Sequence, residues 1–219
     1  MILQLLILFL PWGIRRWLLT KLCHFDLHPS SRIGKSVILA KKVKLEAHAS
    51  IGSGTICKKI DYLYLGQYSN IGNLNIITGW SAESNNVIHF KHVPNRKCEL
   101  IIGTQSGITS RHYFDCTAGI YIGDFVQIAG HGTTLLTHSI DLIKARQDAA
   151  PIHIGNYCFI GIKSTILKGV DITNNVIVGA CSLVTKDLTY ENAMYGGNPA
   201  KLIKNLESCA FFSRTKGFI

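Results

Sequence analysis

The sequence has no run of eighteen apolar residues, no C-x-x-C pair and a shortage of acidic side chains. The first absence argues against a membrane-spanning helix. The second matters because the chain carries 7 cysteines, an odd number. Zinc ribbons and a closed disulfide framework are both unexpected. Reduced, mostly buried thiols in a cytosolic setting fit better. The third leaves 13 acidic against 23 basic residues, a net charge of +10, so an anionic partner is expected. No aromatic-studded basic patch or base-reading motif occurs, which points away from nucleic acid and towards phosphorylated ligands or an anionic membrane. What is present is an ordinary globular composition. At 219 residues and 47% hydrophobic, the chain suits one domain with a real core.

Met1 to Leu10 is apolar except for Gln4, and Pro11-Trp12 follows. Arg15 and Arg16 then sit among Trp12, Ile14, Trp17, Leu18 and Leu19. A signal peptide carries its charge before the apolar run and a small-residue cleavage site after it. Here the charge comes after, and no A-x-A follows. Two readings of residues 1–25 stay open. One is a helix lying in the membrane interface; the other is a helix packed on the body of the protein or on a neighbouring subunit. Three basic residues and no acidic one between Met1 and His24 lean to the first.

Beyond this segment, apolar residues recur every six positions: Ile33, Leu39, Leu45, Ile51, Cys57; then Leu65, Ile71, Ile77; then Ile102, Ile108, Phe114; then Ile122, Ile128. The longest run is Ile154, Ile160, Ile166, Ile172, Val178, Val184. Glycine often follows directly, as at Gly34, Gly52, Gly103 and Gly155. Neither a helix nor a simple strand has this period. A short strand and a corner, three times per turn, do: a triangular parallel β-solenoid, all-β in class, in which no coil is stable alone. The fourth residue after each apolar one is mostly small or β-branched, such as Thr55, Ser106, Gly132 and Ser164, as a tight corner requires.

The Ile-Gly-x4 pattern resembles that of the hexapeptide-repeat acyltransferases. The stretch Val184-Thr-Lys-Asp-Leu, then Tyr195-Gly-Gly-Asn-Pro-Ala-Lys-Leu-Ile-Lys204, is similar to that family's closing signature. Together they cover residues 33 to 204. The nearest look-alikes are galactoside, maltose and xenobiotic acetyltransferases, and acetyltransferases of cell-surface polysaccharide synthesis. The resemblance implies a left-handed parallel β-helix, an exception to the right-handed crossover rule. It would span residues 26–204, between the N-terminal helix and a tail at 205–219 with room for a C-terminal helix. It also implies a homotrimer with active sites in the clefts between subunits.

The repeat breaks twice, at 78–100 and at 135–153, and functional groups favour such interruptions. The second contains Thr137-His138-Ser139-Ile140-Asp141 and runs into Pro151-Ile-His-Ile-Gly155. The family's catalytic histidine precedes a segment of that form, and His138 falls at the matching place. The family often has aspartate directly after it; here Ser139 stands there and Asp141 lies two further on, leaving open what orients the ring. A sugar hydroxyl is a poor nucleophile at neutral pH, and a neutral imidazole can take its proton as it attacks a thioester. No serine or cysteine nucleophile motif occurs, so direct transfer is expected. His112 breaks the small-residue rule and is expected to point outward into a cleft. Asp115, where galactoside-type relatives have asparagine, could accept a substrate hydroxyl or pair with a histidine.

For the donor, acetyl-CoA, the resemblance implies a groove along the C-terminal coils. Ala180, Thr185 and Lys186 match donor-contact positions, Gly161 lies on the same wall, and Phe159 stands where relatives often have tryptophan. Lys201 and Lys204 match basic residues near the phosphates, where ammonium groups act as point charges. The leading expectation is an acetyl-CoA-dependent O-acetyltransferase acting on a sugar or polysaccharide precursor. It would be cytoplasmic, with a peripheral place on the inner face of the membrane as one option. An N-acetyltransferase of an amino sugar and a non-catalytic solenoid scaffold are the alternatives. No metal is expected: His112, His131 and His138 do not have the spacing of the zinc anhydrases that share this fold.

Overall fold

A computed structural model of the chain describes residues 2–82 and 87–217. Residues 83–86 in the first interruption and Phe218 in the tail lie outside the described residues. The chain is a left-handed parallel β-helix. Its strands, two to five residues long, form three faces, here A, B and C, of seven, nine and seven strands among the described residues. Pairing between successive coils is parallel, and it sets like on like. Ile33, Ile51, Ile71, Ile108, Ile128, Ile160 and Val178 stack in register on face B. Ile38, Cys57, Ile77, Phe114, Leu135, Ile166 and Val184 do so on face C. These columns and their counterpart on face A are the buried core. The two-residue shifts in the period arise on face A, where four-residue strands bury two side chains each, as Leu63 and Leu65 do.

Two positions differ from the six-residue count. Ile38, not Leu39, points inward. At the corner after Ile128 an extra residue between Gly130 and Gly132, both at positive φ, makes Thr133 the corner residue instead of Gly132. The corner between faces B and C is a hydrogen-bonded column. Ser36 Oγ accepts from Thr55 N, Thr55 Oγ1 from Asn75 N, Asn75 Oδ1 from His112 N, and His112 Nδ1 from Thr133 N. The corner therefore selects for side chains that accept from the next coil, and an imidazole serves as well as a hydroxyl.

The glycines after the apolar residues are there for close approach. A Cβ on Gly103 would stand 2.5 Å from the backbone carbon and oxygen of Gly123. Gly34 and Gly52 meet the coil above in the same way.

Side chains close the first coil. Helix α1, Ile2–Leu6, places Gln4 against face C, where its amide donates to Ile38 O (2.5 Å) and accepts from Ile38 N (2.7 Å). Helix α2, Trp12–Leu22, places Arg15 against face B, where it donates to Ile33 O (3.2 Å) and Gly34 O (2.9 Å). At the other end Lys201–Asn205 folds back antiparallel on Ala193–Gly196. Among the described residues the tail forms a four-residue 3-10 turn, Ala210–Ser213, in place of a helix. It returns along the solenoid, where the Arg214 guanidinium lies 3.7 Å from the Phe211 ring centroid and near the stacked rings of Phe125 and Tyr157.

The glycine column makes a direct prediction. Gly103→Ala should lower stability by about 1–3 kcal/mol, the cost of overpacking. Gly13→Ala, with nothing within 4 Å of the added carbon, should not. Thermal unfolding of the two variants checks this.

Candidate active site

Both interruptions leave the solenoid at one corner, between faces C and A. Thr78, Asp115 and Leu136 are in register there. The first excursion leaves after Thr78, the coil of Asp115 turns the corner directly, and the second excursion leaves after Leu136. The second is a β-hairpin, His138–Asp141 paired with Arg146–Ala149. The first returns over it as a 3-10 turn, Val87–Phe90. Phe90, Ala118 and Ala149 make a small apolar cluster that Val93 packs against.

Two charged residues hold the first excursion. Asp61 accepts from Ser81 Oγ (2.5 Å) and Ala82 N (2.7 Å). The Arg96 guanidinium donates to the carbonyls of Trp80 and Thr117, both at 2.5 Å, and of Ser81 at 3.2 Å. It also lies 4.6 Å from the Phe90 ring centroid. The Phe90 ring meets the His138 ring edge to face, with centroids 6.4 Å apart. On the hairpin side, Asp148 accepts from Lys168 and lies 3.5 Å from His92 Nε2. The excursions are thus fixed to the coils and to each other, with His138 between them.

The central pair is Asp115 and His138. Asp115 is buried, with its side chain 2% exposed, whereas that of His138 is 40% exposed. His138 Nδ1 lies 2.5 Å from Asp115 Oδ2, and the same oxygen accepts from His138 N (3.1 Å). Oδ1 accepts from Thr117 Oγ1 (2.6 Å) and Thr117 N (3.2 Å). The Thr137 hydroxyl donates to Asp115 O (2.7 Å) and accepts from Ala118 N. Burial on its own would raise the Asp115 pKa. The hydrogen bonds from His138 and Thr117 outweigh it, and the carboxyl is held below the ordinary carboxylate range. That ionised group is the main reason the His138 pKa is raised, against burial and the Arg96 charge. An ionised acceptor on Nδ1 keeps the proton there. Nε2, which has no protein partner among the described residues, is left as the basic nitrogen.

The other sequence-selected residues fall elsewhere. His112 does not point outward. It is 2% exposed, and its ring is locked in the corner column, with Nε2 2.9 Å from Thr109 Oγ1 and Nδ1 accepting from Thr133 N (3.1 Å). Burial first, then the nearby His131, lowers its pKa to about 4. A neutral, fully bonded imidazole there is part of the scaffold. Asp141 does not reach the His138 ring either. It stands at the far end of its strand and accepts from Ile143 N and Lys144 N, capping the hairpin turn. The ring is oriented by Asp115, 23 residues back in the chain and in the neighbouring coil. Among the described residues no group of three or more His, Cys, Asp or Glu could hold a metal ion.

The residues matched to the donor divide between two edges of face C. Thr185 and Lys186 are exposed at the His138 edge, two coils further on. Gly161 lies at the opposite edge, packed on Ala180, where a Cβ would stand 2.6 Å from Ala180 N. Lys201 and Lys204 are exposed on the terminal strand. Phe159 lies on face B, with the Phe211 ring of the tail edge-on at 5.7 Å. Sequence reasoning missed Thr117 and Thr137, which hold Asp115. The Asp-Cys-Thr triplet was the available signal for the first.

Residues 151–186 match the family model described as bacterial transferase hexapeptide (six repeats). A chloramphenicol acetyltransferase of Klebsiella aerogenes is 42% identical over 62 residues, which is 28% of this chain and 29% of that protein. The protein CapG of Staphylococcus aureus is 61% identical over 57 residues, 26% of this chain and 33% of its own length. The matched segment spans less than half of each of these relatives. Among solved structures, a hexapeptide-repeat acetyltransferase of Vibrio cholerae in complex with acetyl-CoA superposes with a TM-score of 0.52 at 23% identity, covering 71% of this chain and 72% of that one. The polySia-specific acetyltransferase NeuO superposes with a TM-score of 0.54 at 19% identity, covering 83% and 80%. Residues 151–186 thus carry the hexapeptide repeat of the bacterial transferases, and the chain as a whole has the fold of the hexapeptide-repeat acetyltransferases on which it superposes.

Proposed function

We propose that this protein is an acetyl-CoA-dependent O-acetyltransferase whose acceptor is a sugar or a polysaccharide precursor, with His138 as general base. The observation that carries the reading is the Asp115–His138 pair, with its carboxylate buried and the imidazole partly exposed. In the reaction, Nε2 takes the proton of the acceptor hydroxyl as its oxygen attacks the thioester carbonyl. The new C–O bond forms, the C–S bond breaks, and the proton on Nε2 passes to the leaving thiolate. Asp115 keeps the ring in one tautomer and stabilises the imidazolium while it lasts. Donor and acceptor must be held together, so positioning supplies much of the remaining acceleration.

The donor reading is supported by Thr185 and Lys186 on the His138 edge and by the acetyl-CoA bound in the similar Vibrio cholerae structure. The acceptor reading rests on the fold shared with NeuO, a polySia-specific acetyltransferase. Gly161 and Ala180, on the far edge of face C, would join such a site in a homotrimer, where one subunit's edge meets the next. Two surfaces favour that assembly. The outward column of face C runs Val37, Ile56, Ile76, Tyr113 in register, and the last three are exposed apolar side chains. The hairpin tip carries Leu142 and Ile143, both almost wholly exposed.

Three measurements test this. With a panel of sugar acceptors, purified protein should release thiol from acetyl-CoA in an acceptor-dependent way. His138→Ala should lower the rate by about 10²–10⁴-fold, the usual share of a general base. Release that is unchanged in the variant would refute the role given to His138. The rate should rise with pH through an apparent pKa above the ordinary histidine value of 6.5, because the base must be neutral and Asp115 holds the proton on. Asp115→Asn should lower the plateau and move that limb to lower pH. Finally, Ile56→Glu with Ile76→Glu should convert a trimer into smaller species by sedimentation equilibrium, with loss of acceptor-dependent release.

A further inference from the structure

The helical cap has two faces with different chemistry. The inner face is Gln4, Ile7, Arg15 and Leu19, all buried against the first coil. The bonds from Gln4 to Ile38 and from Arg15 to Ile33 and Gly34 fix how both helices are rotated. The outer face is therefore fixed as well, and it is apolar. Leu6 is 73% exposed, Phe9 76% and Trp17 60%, with Ile14 and Leu22 at least half exposed. Ile14, Trp17 and Lys21 follow one another at helical spacing on one side of α2. Large apolar side chains gathered in this way mark an interaction surface, whereas scattered ones do not.

The charges on the two helices are of one sign. No aspartate or glutamate precedes Asp26, while Arg16 and Lys21 lie on α2. The Lys35 ammonium stands 5.2 Å from the centroid of the Phe9 ring, at the border of the patch. Arg16, half-buried, donates to Pro29 O (2.7 Å). A second copy of the chain seated on this face would bring the same cations against each other. An anionic bilayer presents both the phosphates and the apolar layer beneath them. With 5 and 11 residues, the helices lie in an interface and do not cross it.

We infer that the α1–α2 cap docks this protein on an anionic lipid bilayer. Leu6, Phe9, Ile14 and Trp17 enter the interface, and Arg16, Lys21 and Lys35 meet the headgroups. The inference stands apart from the reaction proposed above. It fixes the molecule end-on: Asp115 is three rungs from Ile38 along face C, about 15 Å at the spacing of neighbouring strands.

The test is sedimentation of the full chain with vesicles of phosphatidylcholine alone, or of equal parts phosphatidylcholine and phosphatidylglycerol. Wild type should sediment with the anionic vesicles, less so as salt is added, and hardly with the zwitterionic ones. Leu6→Ser/Phe9→Ser/Trp17→Ser and, separately, Lys21→Glu/Lys35→Glu should each weaken vesicle binding by roughly tenfold or more. The second variant changes only solvated side chains, so it reads binding even if the first folds poorly. Four results would overturn the inference. They are wild type left in the supernatant with anionic vesicles, wild type bound to both compositions alike, both variants bound as wild type is, and a lower mass of the apolar variant in vesicle-free solution, which would assign the face to a second copy.

Discussion

Backbone groups along each face of this solenoid find their partners in the coils above and below, so the molecule rests on one condition: successive coils must stay in register. Parallel pairing over short strands gives few hydrogen bonds per coil. What holds the register is repetition, with an apolar side chain at the same inward place in each coil and a glycine beside it where the next coil comes too close for a side chain. A six-residue period is the sequence expression of that condition. Departures from it fall on face A, where longer strands bury two side chains each, at a corner, where one extra residue at Gly130–Gly132 is absorbed by positive φ, or where the chain leaves the coil altogether.

The catalytic proposal grows from those departures. Asp115 sits on a coil that turns its corner without interruption, so its position is set by the rigid part of the fold. His138 is the first residue of the hairpin strand, just outside the coil, and its ring is partly exposed. Stacking them in adjacent coils gives a carboxylate in a low-dielectric setting and an imidazole at its mouth. In such a setting an ion pair or charged hydrogen bond is strong, and an unpaired partner would be costly. Thr117 and Thr137 complete the bonding of the carboxylate, and Arg96 ties the covering excursion to the carbonyl of Thr117. The wall around the histidine and the support beneath it are parts of one bonded assembly.

Much of this was legible from the sequence because it depends on backbone periodicity. The inward columns on all three faces, the two excursions and His138 at the start of the second follow from spacing and resemblance. What was not legible depends on side-chain bonding across coils. His112 looked too large for a corner, but the corner selects for hydrogen-bond acceptors, and an imidazole qualifies. From spacing alone both Asp141 and Asp115 could orient the His138 ring; the extended hairpin strand carries Asp141 away. Asp115 is distant in sequence and adjacent in space, because the coil between them brings Asp115 and Leu136 into register. Ile38 and Leu39 differ by one position, a slip that period alone cannot resolve at the first coil, where no coil below confirms the phase.

The two closures of the solenoid have a consequence for how the protein behaves in a crowded solution. A stack of parallel coils is by nature a template: each open end offers unpaired N–H and C=O groups in the geometry that another stack would complete, the route by which sheet edges seed fibrils. At one end Gln4 and Arg15 occupy such groups on faces C and B with side-chain amide and guanidinium, which have no further edge to offer. Lys201–Asn205 ends the other with a reversed strand whose side chains are exposed and include two lysines. The repeat that makes the fold is thereby made finite, and the same residues that end the stack keep one molecule from extending another.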